Sequence, residues 1–336
     1  MSVRAFAAKA VKSSFEPMTF DPGPLADGDV HVRVTHCGIC HSDLSMLDNE
    51  WGISQYPLVP GHEVVGVVES VGRSVTHLRA GQRVGLGWQC GACMRCEWCS
   101  RGRQHLCGTQ AATIVGRHGG FATHVRAQAE FAVPIPDAIS SELAGPLMCA
   151  GATVFTPMLT HKVTAGDRCA VVGIGGLGHL ALQFLSKWGC PVTAISSTRS
   201  KEAEARAFGA SAFLATSEPA ALAGAANSFD YIISTISADA DWNALVNTLR
   251  PQGRLVIVGV PNSPLSIAAF PMIASERTVA GGRLGSPADV TQMLDFAART
   301  GVRPMIEKFK MSDVNRAMDR LRSGQARYRV VLESEG

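Results

Sequence analysis

One short run restricts the fold more than any other feature of the chain: Gly173-Ile174-Gly175-Gly176-Leu177-Gly178, set between an apolar stretch, Arg168 to Val172, and a helix-patterned one, Leu177 to Trp188. A strand, a glycine turn and a helix in that order leave backbone N–H groups exposed at the start of the helix, and the glycines let an anionic ligand come close to them. The alternation continues downstream, with a strand at Val192 to Ser196, a helix at Lys201 to Phe208, and apolar runs at Ile232 to Thr235 and Arg254 to Val258. Strands alternating with helices predict a parallel sheet with crossover helices, and the glycine run makes it a dinucleotide-binding one.

The rest of the chain follows another pattern. From Met1 to about Ala150 the text is short β-rich segments broken by Gly and Pro, with Val30 to Thr35, Val64 to Val71 and Phe121 to Val125 as the clearest strands, which predicts an irregular barrel. From about Ala288 come two helices, Val290 to Arg299 and Ser312 to Leu321, and a last strand near Tyr328 to Leu332. A length of 336 residues fits two domains with a cleft between them. The 31 Lys and Arg against 28 Asp and Glu lack the basic excess that nucleic acid demands. Met1 to Ala10 carries two basic residues with no long apolar run behind them, and no stretch holds about 20 uninterrupted apolar residues. A cytoplasmic chain with no membrane partner is expected.

Ten cysteines call for metal rather than a disulfide framework, which belongs to much shorter secreted chains. Cys93, Cys96, Cys99 and Cys107 stand in CGACMRCEWCSRGRQHLC, so that one loop can fold four thiolates around a tetrahedral zinc, the closed structural type. Cys90 is a fifth thiol that four-coordination leaves without a role. Cys40 in CGICHSD and His62 in VPGHE each sit in a glycine-flanked turn beside a carboxylate. Alone, each reads as an ordinary buried residue. Together with Cys149 in LMCAGAT they supply a Cys₂His set with a fourth position open, which is the catalytic type.

About 20 residues past such a glycine fingerprint an NAD enzyme places an acid on the ribose hydroxyls. Here the position holds Ser196-Ser197-Thr198-Arg199-Ser200-Lys201, with no carboxylate before Glu202. Hydroxyls and two cations suit a 2′-phosphate.

Over essentially its whole length the chain resembles the zinc-containing medium-chain dehydrogenases, nearest the cinnamyl-alcohol-dehydrogenase-like branch. The segments that carry the likeness are CGICHSD, YPLVPGHEVVG, the four-cysteine loop, LMCAGATV, GIGGLGH, ISSTRSK, VIVGVP and RYRVVL. The resemblance implies an α/β fold: a GroES-like irregular β-barrel catalytic domain over residues 1–149 with both zinc sites, a doubly wound Rossmann domain over 150–287, and a return to the catalytic domain over 288–336. It implies a catalytic zinc on Cys40, His62 and Cys149, with Glu63 as an occasional fourth ligand, and a structural zinc on Cys93, Cys96, Cys99 and Cys107. Asp43 would hold the second nitrogen of His62. Cys37 is not at a ligand position. Ser42 matches the hydroxyl that bonds the substrate oxygen and starts a proton relay. The histidine that ends the relay in many members is Ser45 here, so proton exit falls to water or His41.

For the cofactor the resemblance implies NADP(H) held by Gly173, Gly175, Gly176, Leu177 and Gly178, by Ser196, Ser197, Thr198, Arg199 and Lys201, and by Thr153, Val258, Val260, Leu284 and Arg329. The implied function is hydride transfer between NADP(H) and a primary alcohol or aldehyde, by a homodimer with two zinc ions per chain. The alternatives are an NAD-dependent polyol or sugar dehydrogenase and a non-catalytic NADPH-binding protein. Trp51, Ala112 and Arg283 fall at substrate-pocket positions. Ala112 and Arg283 stand where cinnamyl-type members carry aromatic rings, so bulky phenylpropenals are expected to lose their stacking platform.

Overall fold

The computed structural model describes residues 1–218, 220–261 and 263–335. The chain divides into two compact units: Met1–Cys149 with Gly285–Arg299 and Arg303–Gly336, and Ala150–Leu284 with Thr300–Val302.

The first unit is built on a seven-stranded sheet in the order Ile306–Lys310, Arg329–Glu333, Asp29–Ile39, Glu63–Val71, Arg83–Leu86, Val133–Pro134, with His124–Gln128 also paired to Asp29–Ile39. All its neighbours pair antiparallel except the two C-terminal strands, which run parallel. Val30, Val32 and Val34 recur at every second position and are buried with Val64, Val68, Val84, Leu86 and Phe121. The long Asp29–Ile39 strand thus has one neighbour along its whole length and two that share its other edge, and it ends one residue before Cys40.

Phe121 to Val125, expected as a strand, is displaced: the strand is His124–Gln128. The backbone of Phe121 is taken by the N-terminal hairpin instead, with Phe6 N–H donating to Phe121 O at 2.8 Å and Ala5 bridging Ala122. That hairpin, Val3–Ala8 with Phe15–Phe20, is a further element, with Pro17 opposite Phe6. In a two-stranded edge ribbon the missing N–H of Pro17 costs nothing in the ladder.

The second unit is a six-stranded parallel sheet in the order Ala212–Ala215, Val192–Ser196, Cys169–Val172, Phe229–Ser234, Leu249–Ile257, Thr278–Gly281. All four residues of Cys169–Val172 are buried, as a strand covered on both faces requires. The strand order reverses between Cys169–Val172 and Phe229–Ser234, which creates a crevice at their carboxyl ends.

Ser141–Thr160 is one run of 20 helical residues, apolar enough to cross a membrane by length and composition alone, and 72% of its 18-residue apolar window is buried inside the protein, as in a core helix. Its middle, Leu147–Gly151, is a π-turn and contains Cys149. Single π-turns within α-helices recur at functional sites.

Candidate active site

Cys40 caps the short helix His41–Leu47, His62 lies in the loop that enters the Glu63–Val71 strand, and Cys149 comes from the π-turn. Their ligand atoms, with a carboxylate oxygen of Glu63, lie within 4.8 Å of one another. Cys149 Sγ is 3.9 Å from Cys40 Sγ and 3.3 Å from His62 Nε2. A sulfur–sulfur distance of 3.9 Å is far too long for a disulfide, which needs about 2.05 Å. With Zn–S near 2.3 Å and Zn–N near 2.0 to 2.1 Å, the edges of a tetrahedron are about 3.8 Å between sulfurs and about 3.6 Å between sulfur and nitrogen. The two edges at Cys149 are therefore close to those that a zinc ion would impose.

The groups behind them are arranged to hold that geometry. Asp43 Oδ1 accepts from Gly61 N–H at 2.9 Å and lies 3.2 Å from His62 Nδ1, while Oδ2 accepts from Cys40 N–H at 2.9 Å. One fully buried carboxylate thus fixes both loops, and it leaves Nε2 of His62 for the ligand position. The contact with Cys149 holds the Cys40 thiol well below the ordinary thiol range, and the same contact with Cys40 pushes the Cys149 thiol up. Burial works against a charged His62, yet Asp43 and Cys40 together raise it well above the ordinary imidazole value.

Glu63 is also fully buried, and burial pushes its carboxyl up to about 7 against the pull of Arg329. Oε1 accepts from Arg329 Nη2, which also donates to Ile39 O at 3.3 Å, while Oε2 has no partner among the described residues. Gly38 makes room for this carboxylate, since a side chain there would collide with Oε2. An unpaired buried carboxylate oxygen is costly, and a cation beside it removes the cost. The donor set and this orphaned oxygen fit a metal.

Ser42 Oγ is 3.8 Å from Cys40 Sγ. Ser45, one helical turn on, donates its hydroxyl to Glu50 Oε2 at 2.6 Å, a contact the sequence did not suggest. Trp88 also went unnoticed: its ring stands edge-on to His62 at 5.1 Å and to the half-exposed Trp51 at 5.9 Å. It lies between a strand and the cysteine loop in GWQC, a place where sequence alone cannot tell a core tryptophan from a pocket wall. Ala112 sits in a two-residue strand paired with Gln89, and Arg283 is exposed.

Cys93, Cys96, Cys99 and Cys107 form the second convergence, again within 4.8 Å. Cys93 Sγ is 3.6 Å from Cys107 Sγ and 3.9 Å from Cys99 Sγ, matching tetrahedral edges. The N–H of Cys96 donates to Cys93 Sγ at 3.3 Å, and that of Cys93 to Cys107 Sγ at 3.5 Å. Hydrogen bonds from the Cys93 N–H and from the hydroxyl and N–H of Thr109 bring the Cys107 thiol down to about 6. Cys90 stands apart with its thiol toward Ala111 O at 3.5 Å, and Cys37 is buried against Gly61 and Gly120.

In the second unit a cavity of about 820 Å³ opens at the strand-order reversal. Gly173, Gly175, Gly176, Leu177, Ser196, Ser197 and Lys201 line it, and so do Thr216, Glu218 and Thr235. Gly173 adopts φ +88°, and a side chain on Gly178 would strike Gly173 O. Gly175 has open space where a side chain would go, the cradle a pyrophosphate needs. Thr235 Oγ1 holds the turn, donating to Val172 O at 3.0 Å or to Gly173 O at 2.9 Å. Lys201 Nζ donates to Ile174 O at 2.7 Å. Thr198 and Arg199 do not line the cavity: the Thr198 hydroxyl meets Ser200 at 2.8 Å, and the Arg199 guanidinium is bound by Glu218 and Glu202. Thr153, Val258, Val260 and Leu284 also lie outside its lining.

Residues 26–137 match the alcohol dehydrogenase GroES-like domain, and residues 176–299 the zinc-binding dehydrogenase domain. Aldehyde reductase AdhA of Synechocystis sp. is 48% identical over 330 residues, 98% of each chain, and cinnamyl alcohol dehydrogenase 2 of Rauvolfia serpentina 39% identical, covering 98% of this chain and 95% of its own. The chain is a zinc-binding medium-chain alcohol dehydrogenase of the cinnamyl-alcohol-dehydrogenase-like branch. A Sorghum bicolor cinnamyl alcohol dehydrogenase superposes on this dehydrogenase with TM-score 0.93 at 39% identity, over 99% and 98% of the two chains. A Helicobacter pylori member of the branch, solved with NADP(H), superposes with TM-score 0.90 at 26% identity over 99% and 98%. The GroES-like and Rossmann architecture expected of this dehydrogenase is the one observed, and its activity class is alcohol dehydrogenase or aldehyde reductase.

Proposed function

We propose that the protein is a two-zinc, NADP(H)-dependent aldehyde reductase. The first unit would serve as the catalytic domain and the second as the dinucleotide domain. The observation that carries this reading is the convergence of Cys40, His62 and Cys149 on one point with Asp43 locked behind them. Zinc on these ligands would supply Lewis-acid polarisation of a carbonyl, and the dinucleotide would supply the hydride. Asp43 holds the His62 ring in the tautomer that offers Nε2. Ser42 Oγ holds the proton that the substrate oxygen gains on reduction. Arg329 keeps the Glu63 carboxylate paired beside the ligands. Trp88 offers ring surface next to His62, and Trp51 stands against Trp88, which favours benzylic aldehydes.

For the coenzyme, support comes from the serine-rich, carboxylate-free turn after Val192–Ser196, with Lys201 on the cavity, and from the NADP(H) complex of the Helicobacter pylori neighbour. Two measurements test the reading. Metal analysis after expression in zinc-replete medium is expected to give two zinc ions per chain, and an aldehyde panel is expected to consume NADPH in preference to NADH. One zinc per chain, or equal use of the two coenzymes, would overturn the respective half.

A further inference from the structure

We propose that Glu218 sets how strongly this chain grips a 2′-phosphate, by competing with that phosphate for the guanidinium of Arg199; the idea rests on the NADP(H) reading above. Glu218 follows the Ala212–Ala215 strand and lines the second unit's cavity together with Ser196, Ser197, Lys201 and Thr216. Both of its oxygens accept from Arg199: Oε2 from Nη2 at 3.0 Å, and Oε1 from Nε. The remaining arm of the fork, Nη1, donates to Glu202 Oε2 at 2.7 Å. Of the two cations expected to meet the phosphate, Lys201 is on the cavity, and Arg199 is held at its rim by a carboxylate that is on the cavity.

A carboxylate and a phosphate ask the same thing of a guanidinium, two parallel N–H donors; Glu218 takes the Nε and Nη2 pair and Glu202 a bond from Nη1, so a phosphate that uses the Nε and Nη2 pair must displace Glu218. The pair is open to water, with Arg199 55% and Glu218 42% exposed as side chains. Such a bond is weak and exchangeable, so an arriving dianion can displace it. Glu218 then remains as a like charge beside the phosphate. A ribose diol without the phosphate meets no such conflict, because its hydroxyls can donate to the carboxylate. Glu218 therefore narrows the margin between the two coenzymes. Glu202 has a different place: it lies outside the cavity lining, and Oε1 is held by Arg206 at 2.8 Å, so it anchors Arg199 without facing a ligand.

The experiment is calorimetric titration of the zinc-loaded full-length protein with adenosine 2′,5′-bisphosphate and with 5′-AMP, at one fixed ionic strength. Glu218→Gln is expected to tighten the bisphosphate roughly three- to tenfold relative to 5′-AMP. Glu202→Gln is expected to change the ratio less than about twofold, and Arg199→Ala placed on Glu218→Gln to erase most of the gain. An unchanged or lowered ratio in Glu218→Gln overturns the competition, as does an equal gain in Glu202→Gln. The NADP(H) reading fails separately, if the unmodified protein binds the two probes equally. In that case a preference that appears only in Glu218→Gln would still sustain the competition.

Discussion

The two cysteine-bearing clusters of the first unit differ in how far the chain must travel to make them. Cys93, Cys96, Cys99 and Cys107 fall within one loop, and the loop's own backbone N–H groups point at their sulfurs. Cys40, His62 and Cys149 come from a helix cap, a strand entry and a π-turn; Asp43 ties the first two together, and the helix that leads into the π-turn packs on the Asp29–Ile39 and Glu63–Val71 strands. A local cluster needs only its loop and can close fully around an ion. An assembled cluster depends on the whole unit, and in exchange it can leave one side open.

If that contrast holds, the largest effect is at Cys149. Cys149→Ala is expected to cut turnover about a thousandfold or more, the scale of losing several kcal/mol of carbonyl polarisation, while the protein stays folded and keeps one zinc. Cys96→Ala is expected to do the reverse: lower thermal stability, with activity per folded molecule preserved. Zinc content and kcat measured on the same samples decide the matter, and swapped phenotypes would exchange the roles of the two clusters.

Ser42→Ala is expected to lower kcat about 100-fold, as removal of a group that assists proton transfer does. Ser45→Ala, which loses the bond to Glu50, should change kcat little. A comparable loss at Ser45 would place it in the proton path.

Asp43→Asn tests whether the assembled site needs its hidden carboxylate. Metal affinity at the Cys40, His62 and Cys149 cluster is expected to fall 10- to 100-fold by chelator competition, with the four-cysteine cluster unaffected. Equal loss at both clusters would mean that Asp43 supports the unit rather than the ligands.

The smallest effect concerns the helix that carries Ser42 and Asp43. The residue that caps its C-terminal end, Asp48, accepts from Arg322 Nη1 at 2.6 Å and Nη2 at 2.8 Å, and Arg322 holds its carboxyl below the usual range. A depressed folded-state value contributes stability above the unfolded value near 3.9 and loses it as pH falls through the folded one. Arg322 is 44% exposed, so Asp48→Asn should cost no more than about 1 kcal/mol at neutral pH. In urea titrations the difference from the unmodified protein should fade as pH drops below about 4. A difference that persists at low pH would show that shape, not charge, matters at this contact.

What could be read in the sequence follows the same division between local and assembled. The four-cysteine loop and the strand-glycine-helix turn are contiguous, and Val192–Ser196 was placed residue for residue because its apolar run is bounded on both sides by turn residues. The Cys40, His62 and Cys149 convergence was legible through motifs rather than spacing. The π-turn around Cys149 left no mark in LMCAG, since its composition suits an ordinary helix. Glu218 was missed because it follows a different strand from the one that the glycine fingerprint directs attention to. The pairing of Arg199 with Glu218 and Glu202 could not have been foreseen either, because a turn rich in cations looks the same whether its charges face a ligand or each other.

The π-turn at Leu147–Gly151 has a consequence for how this site can be altered. A π-turn holds one residue more than the α-helical turn it replaces, so it works as a slack loop in an otherwise wound spring. Deleting a single residue from that stretch would let the turn close into regular α-helix, with the flanking turns keeping their places and the residues inside the turn, Cys149 among them, pointing in new directions. A ligand swap at Cys149 changes the chemistry of one donor, whereas a change of register at Leu147–Gly151 moves the donor off the site without altering it. Deletion of any one residue there other than Cys149 should empty the Cys40 and His62 cluster of zinc as completely as Cys149→Ala does, with every ligand still present in the chain.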